Sequence, residues 1–304
     1  MSYLTIEDLT KRERWINYIK DLSFKNNFIL STELLQKELL EEVTNSPQEI
    51  LTHLRLCGNI PEEFTHDSKE EKLYSKYTDT IISYALESIG IKSIVLTERS
   101  DAADVESVAN GYSFISDAKA FRLSRTAKNQ KDFKVKSMDN WKRGKPYALL
   151  ICPIYQLPQK NSQIYRDAST VNVCIFTYSH LSLLVNYGIG TDIVNSERLL
   201  HRIFQTVDSM NPSKSSIVYW QIINNLILQE SDVLSPLWKI EKEISVEALQ
   251  LAKSIDLKFL ANERKRFMQM THDEAVKELI KISKLENKID TINSIKDNGL
   301  FDIK

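Results

Sequence analysis

The sequence predicts an α/β protein: a central mixed β-sheet flanked by helices, with large helical parts at both ends. Three observations carry this. Apolar residues recur three and four apart through the first 57 residues, and the chain reads as helical again from about Glu197 onward. Between these parts lie short β-branched runs, two of them almost continuously apolar, as suits strands covered on both faces of a sheet. Asn110-Gly111, inside DVESVANGYSFISDAKAF, is the strongest short-range signal for a two-residue hairpin.

The elements follow in order. WINYIKDL, TELLQKELLEEV behind Ser31/Thr32, and PQEILTHLRL after Ser46 read as capped amphipathic helices, and IPEEF interrupts them. A longer helix starts near Ser68, carries Leu73, Tyr77, Ile81, Tyr84 and Ala85, and stops near Gly90. KSIVLTE reads as a short strand, the Asn-Gly hairpin follows, and PYALLICPIYQL and VNVCIFTYSHLSLL read as buried strands, the second running into a helix. The later helices break around MNPSKSS (210–216). The expectation is one domain over 1–304, with a helical part at 1–66, an α/β core at 67–195 and a helical part at 196–304.

Bulk properties narrow the function classes. The chain has 304 residues, 27% of them charged and 42% hydrophobic, as in an ordinary globular protein. No run approaches 18 apolar residues, so no membrane partner is expected. MSYLTIEDLTKRERW lacks the basic-then-apolar pattern of a signal peptide, and Cys57, Cys152 and Cys174 are too few and scattered for a disulfide framework. A cytoplasmic protein is expected. Its net charge of −1 argues against indiscriminate wrapping of nucleic acid, but the charge is uneven. Residues 115–145 hold ten lysines and arginines against three aspartates, a local excess of seven positive charges. Such focusing suits a specific polyanion, and a solvated surface looks the same.

The hairpin places an acidic pair at the head of that basic run. With Asn110 and Gly111 as loop residues, positions summing to 221 face each other, so Asp104 lies across from Asp117. Facing side chains stand about 5 Å apart, where like charges repel unless a cation is shared. The period of two puts Asp117 and Lys119 on one face with Ala118 on the other, and Glu106 shares the Asp104 face opposite Ile115. Two or three carboxylates and an ammonium suit phosphodiester hydrolysis with magnesium, a hard ion often held by one or two carboxylates. The Ala118 backbone carbonyl is a further candidate ligand. The bland alternative is a surface ion pair worth roughly 0–1 kcal/mol.

From Asp117 to Lys136 the run DAKAFRLSRTAKNQKDFKVK resembles a type II restriction endonuclease of the PD-(D/E)xK superfamily. EKLYSK (71–76), YALLICPIYQLPQKNSQIY (147–165) and TINS (291–294) resemble stretches of it in the same order. The resemblance implies a restriction-endonuclease-like core and a prokaryotic homodimer that cuts double-stranded DNA with magnesium. It points to the palindrome AAGCTT cut after the first A, leaving 5′ overhangs, and to a companion DNA methyltransferase.

Residue by residue, the first acid of the motif maps onto Asp104 and the acid-x-lysine half onto Asp117 and Lys119. Asp104 follows Ala103 where the motif has proline, which keeps Asp101 and Glu106 open as the first ligand. Glu71 fits the extra acid on the preceding helix. Asn129, Lys131 and Asp132 match base-reading positions, with chemistry suited to adenine, guanine and the cytosine amino group, and Ala127 suits a thymine methyl. Arg122, Arg125, Lys128 and Lys134 suit phosphate clamps.

Three rival readings stand beside this one: a repair nuclease or one of other specificity, a DNA-binding protein without catalysis, and a structural protein whose basic stripe meets a protein partner. His180 reads as a strand-end or helix-start residue rather than a ligand. Lys160, Ser162 and Gln163 read as a polar loop near backbone phosphate. Trp220 and Trp238 read as packing residues, and Arg264–Arg266 as a helix surface or a second phosphate contact.

Overall fold

The computed structural model describes residues 2–46, 48–96, 102–125 and 130–294. Four helices come first: α1 (Ile6–Ser23), α2 (Phe28–Asn45), α3 (Glu49–Leu56) and α4 (Lys69–Glu87). Their starts obey local chemistry. Thr5 and Asp8 form a capping box on α1, Asn27 caps α2, and the Ser68 hydroxyl accepts from the Glu71 N–H at the start of α4. Helix α4 ends two residues before Ile89-Gly90, where Gly90 turns the chain at φ +86° and the Ile91 N–H returns to the Leu86 carbonyl.

Five strands follow, β1 (Lys92–Val95), β2 (Val105–Val108), β3 (Ser113–Ala118), β4 (Tyr147–Cys152) and β5 (Val173–Thr177), lying side by side in chain order. The pairings β1–β2 and β2–β3 are antiparallel, whereas β3–β4 and β4–β5 are parallel, so the sheet is mixed as expected. The two apolar runs behave as expected too: every residue of β5 is buried, and all of β4 but Tyr147. Two short helices, α5 (Val135–Trp141) and α6 (Gln163–Thr170), occupy the connections on either side of β4.

Helices α7 (Tyr178–Gly190), α8 (Ile193–Ser209), α9 (Ser216–Glu230), α10 (Leu234–Met268), α11 (His272–Ile282) and α12 (Leu285–Ser294) complete the described chain. Residues 1–256 and 257–304 form two compact units. In the first, α8 packs one sheet face, where Phe204 lies 4.9 Å from the Phe114 ring and stacks on Tyr147 at 4.9 Å. Each such buried aromatic contributes roughly 1.5–3 kcal/mol by apolar burial. Strand alternation turns Asp117 to the opposite face, toward α4. In the second unit no residue of α11 or α12 is buried. Among the described residues no helix is long and apolar enough to cross a membrane.

Candidate active site

The hairpin fixes the site. Val105 pairs with Ser116, Glu106 with Ile115 and Val108 with Ser113, so each pair sums to 221, and Asp104 and Asp117 are the next residues beyond the last pair. The Ala109 N–H closes the turn on the Tyr112 carbonyl at 2.9 Å. Only Gly111 enters the left-handed region there, at φ +86°, a conformation that costs a residue with a Cβ roughly 1–2 kcal/mol. The Leu96 N–H donates to the Asp104 carbonyl at 2.8 Å, which ties the first acid to the end of β1. On the other side, Asp117 pairs with Leu150 of β4, and the Lys119 N–H donates to the Ile151 carbonyl at 2.8 Å. Asp117 thus sits at the sheet's centre, fully buried.

Lys119 answers that buried charge. Its Nζ donates to Asp117 Oδ1 at 2.6 Å and stands 2.5 Å from Oδ2 without hydrogen-bond geometry to it. The second oxygen is therefore buried with no hydrogen bond. Helix α4 adds a carboxylate and an ammonium. Lys76 Nζ donates to Asp79 Oδ2 at 3.1 Å and lies 3.6 Å from Asp104 Oδ1. The site thus joins three aspartates, at 79, 104 and 117, to two lysines.

The charges disturb each other in the direction this crowding demands. Burial first, and then the like charges of Asp79 and Asp117, push the Asp104 carboxyl up to about 8, although a third of its side chain reaches solvent. Burial raises Asp79 to about 6, with Lys76 opposing and Asp117 assisting. Burial works against the Lys119 ammonium, but Asp117, Asp104 and Asp79 together hold it above its ordinary value. Three carboxylates against two ammoniums fit a hard divalent cation, which needs only one or two such ligands.

The other expected residues divide into distinct groups. Glu106 keeps its place opposite Ile115 but turns its carboxylate to Lys145 Nζ at 3.1 Å. Asp101 lies outside the described residues. Ala118 pairs with Ile151 in the ladder. Glu71 sits in the first turn of α4, two turns from Asp79. There it accepts from Arg122 Nη1 at 2.8 Å and from the Asp67 N–H at 2.7 Å. With His66 and Asp67 it gathers ligand atoms within 4.8 Å of one another, but this exposed group lies at a helix N-terminus, which disfavours cations.

Arg122 also donates to the Phe64 carbonyl at 2.7 Å and is mostly buried. Arg125 pairs with Asp132 at 2.5 Å and stacks over Phe121. Lys134, at φ +48°, places Nζ 5.3 Å from the Trp141 ring. Ala127, Lys128 and Asn129 lie outside the described residues, as does the Lys131 side chain. His180 hydrogen-bonds Thr177 Oγ1 and Asn224 Oδ1 and packs on Trp220 and Trp238, a satisfied core histidine. Ser162 caps α6, and Gln163 is the first residue of that helix rather than loop.

Lys76 and Asp79 escape sequence reasoning, since nothing local marks their approach to the strands. The available signal is an aspartate inside a helical stretch buried on nearly every side, Thr78 to Ser83, where a lone carboxylate needs a partner.

The profile of the family described as HindIII restriction endonuclease matches residues 12–296. The Type II restriction enzyme HindIII of Haemophilus influenzae (strain ATCC 51907 / DSM 11121 / KW20 / Rd) is 32% identical over 256 residues, covering 81% of this chain and 83% of the relative. The chain belongs to the HindIII restriction endonuclease family.

Proposed function

We propose that this site-specific deoxyribonuclease is a magnesium-dependent homodimer that cuts both strands of double-stranded DNA at AAGCTT, after the first A, leaving 5′ overhangs. The observation that carries the proposal is the approach of Asp104 and Asp117, the residues just beyond the last pair of the β2–β3 ladder, with the Lys119 ammonium on the Asp117 carboxylate. Asp104 and Asp117 hold the ion, with the Ala118 carbonyl as a further ligand. Magnesium held there would supply Lewis acidity for water activation and for neutralising charge on the scissile phosphate. Lys119, held protonated by its aspartates, donates to a non-bridging phosphate oxygen as charge builds there. Buried Asp117 and the β4 ladder keep that ammonium from wandering.

Readout falls to Asn129, Lys131 and Asp132, with Ala127 against a thymine methyl, and phosphate contact to Arg125, Lys128 and Lys134, whereas Arg122 is already engaged by Glu71 and the Phe64 carbonyl. Glu71 acts through Arg122, fixing the chain where it leaves the site toward those residues. A palindrome matches a two-fold protein in which each subunit cuts one strand, and a companion DNA methyltransferase protects the host's own sites.

Digestion of a long phage DNA of known sequence tests the proposal, with an EDTA control and the Asp117→Ala variant alongside. Discrete ends mapping to AAGCTT, absent from both controls, are expected. Ends mapping elsewhere would overturn the specificity, and intact DNA from folded protein would overturn the catalytic assignment.

A further inference from the structure

Helix α4 brings to the site two residues whose spacing is informative. Lys76 and Asp79 stand one turn apart on the same helix face. Asp79 is 2% exposed and flanked by buried Thr78, Thr80, Ile81 and Ile82, so its carboxylate is fixed. It accepts from Lys76 Nζ at 3.1 Å. The same ammonium lies 3.6 Å from Asp104 Oδ1, within ion-pair reach but beyond a hydrogen bond. A lysine head on a flexible stem moves to whichever carboxylate is reachable, and Asp104 is the more open one, with 33% of its side chain exposed against 3% for Asp79. The buried acid thus keeps a mobile cation from closing on the acid at the mouth of the site.

We infer that Asp79 is a positioning residue: it holds Lys76 off Asp104 and so leaves Asp104 open to the divalent cation. This rests on the reading of Asp104 and Asp117 as cation ligands. Asp79 itself touches neither substrate nor ion. Its negative charge works by occupying the lysine that stands nearest Asp104 on α4.

The test compares wild type, Asp79→Asn, Lys76→Gln and the double variant. Calcium, a hard cation that takes the same oxygen ligands, is titrated by calorimetry, and the half-saturating magnesium for cleavage is measured beside it. In Asp79→Asn the freed lysine makes a charge-assisted hydrogen bond to Asp104 that the ion must displace. Calcium affinity is expected to fall about tenfold and half-saturating magnesium to rise about tenfold, with less change in the rate at saturation. Adding Lys76→Gln restores both. A double variant as poor as Asp79→Asn would overturn the inference, because a direct ligand or a structural prop at position 79 cannot be rescued by removing a lysine. Wild-type behaviour in Asp79→Asn would overturn it equally.

If thermal melts show that Asp79→Asn does not fold, Lys76→Gln decides alone. Calcium affinity equal to or tighter than wild type is expected, and a loss of about tenfold would sink the idea. Failure of the underlying reading is distinguishable, since wild type would then neither bind calcium nor cleave with magnesium.

Discussion

At the scale of single residues the chain separates catalysis from structural support. Among the described residues Lys119 is the side chain that hydrogen-bonds Asp117 Oδ1, so Lys119→Met removes a charge aimed at the reacting phosphate and leaves Asp117 without its counterion. The expected result is a fall of about 10²–10³ in the cleavage rate at saturating magnesium, with DNA affinity in calcium retained. Equal losses in rate and affinity would point to a DNA-binding lysine instead. His180 does structural work. Burial depresses it to about 4, against the Asn224 hydrogen bond that favours its charge. The native state therefore resists the proton that the unfolded chain accepts near pH 6.5. Its contribution is complete above that pH and is lost as the pH falls from about 6.5 toward 4, by up to about 3 kcal/mol. Urea midpoints across that range should fall more steeply for wild type than for His180→Gln.

At the scale of elements, what the sequence disclosed follows from how local each constraint is. The hairpin register was legible because Asn110-Gly111 sets it and the rest follows by counting, and Glu106 fell opposite Ile115 as counted. Helix α4 was legible from its apolar spacing, but its meeting with the strands depends on how helix and sheet pack, which no spacing within Lys69–Glu87 encodes. Hence Glu71 was the visible acid of that helix and Asp79 the hidden one. Helices α5 and α6 span seven and eight residues, too short for a 3.6-residue period to show against their polar surroundings. The hairpin also yields a prediction. A Cβ at Gly111 meets no atom within 4 Å, so Gly111→Ala tests backbone conformation alone. At φ +86° the substitution should cost roughly 1–2 kcal/mol in denaturant unfolding and loosen the facing of Asp104 and Asp117. Half-saturating magnesium should then rise although no site residue has changed.

At the scale of the whole molecule the question is how a chain with a net charge of −1 engages a polyanion. The positive excess is confined to 115–145, and its members differ in what already holds them. Arg122 is engaged from two sides, by the Glu71 carboxylate and the Phe64 carbonyl, and is mostly buried. Releasing it to a phosphate would strand a carboxylate, so its charge is largely spent inside the protein. Lys134 meets the face of Trp141, an interaction worth about 0.5–1 kcal/mol at an exposed site and easily exchanged for a phosphate. The two substitutions should therefore separate. Lys134→Ala should weaken DNA binding for every sequence alike and make the slope of log affinity against log salt shallower by about 0.9, one phosphate contact's worth of counterion release. Arg122→Ala should lower the unfolding midpoint, because it removes a partly buried ion pair and a backbone anchor together. It should leave the salt slope within the error of wild type. Fluorescence anisotropy in calcium across a salt series, paired with denaturant unfolding of both variants, makes the comparison. A shallower slope for Arg122→Ala at unchanged stability would show that its pairing with Glu71 yields to DNA.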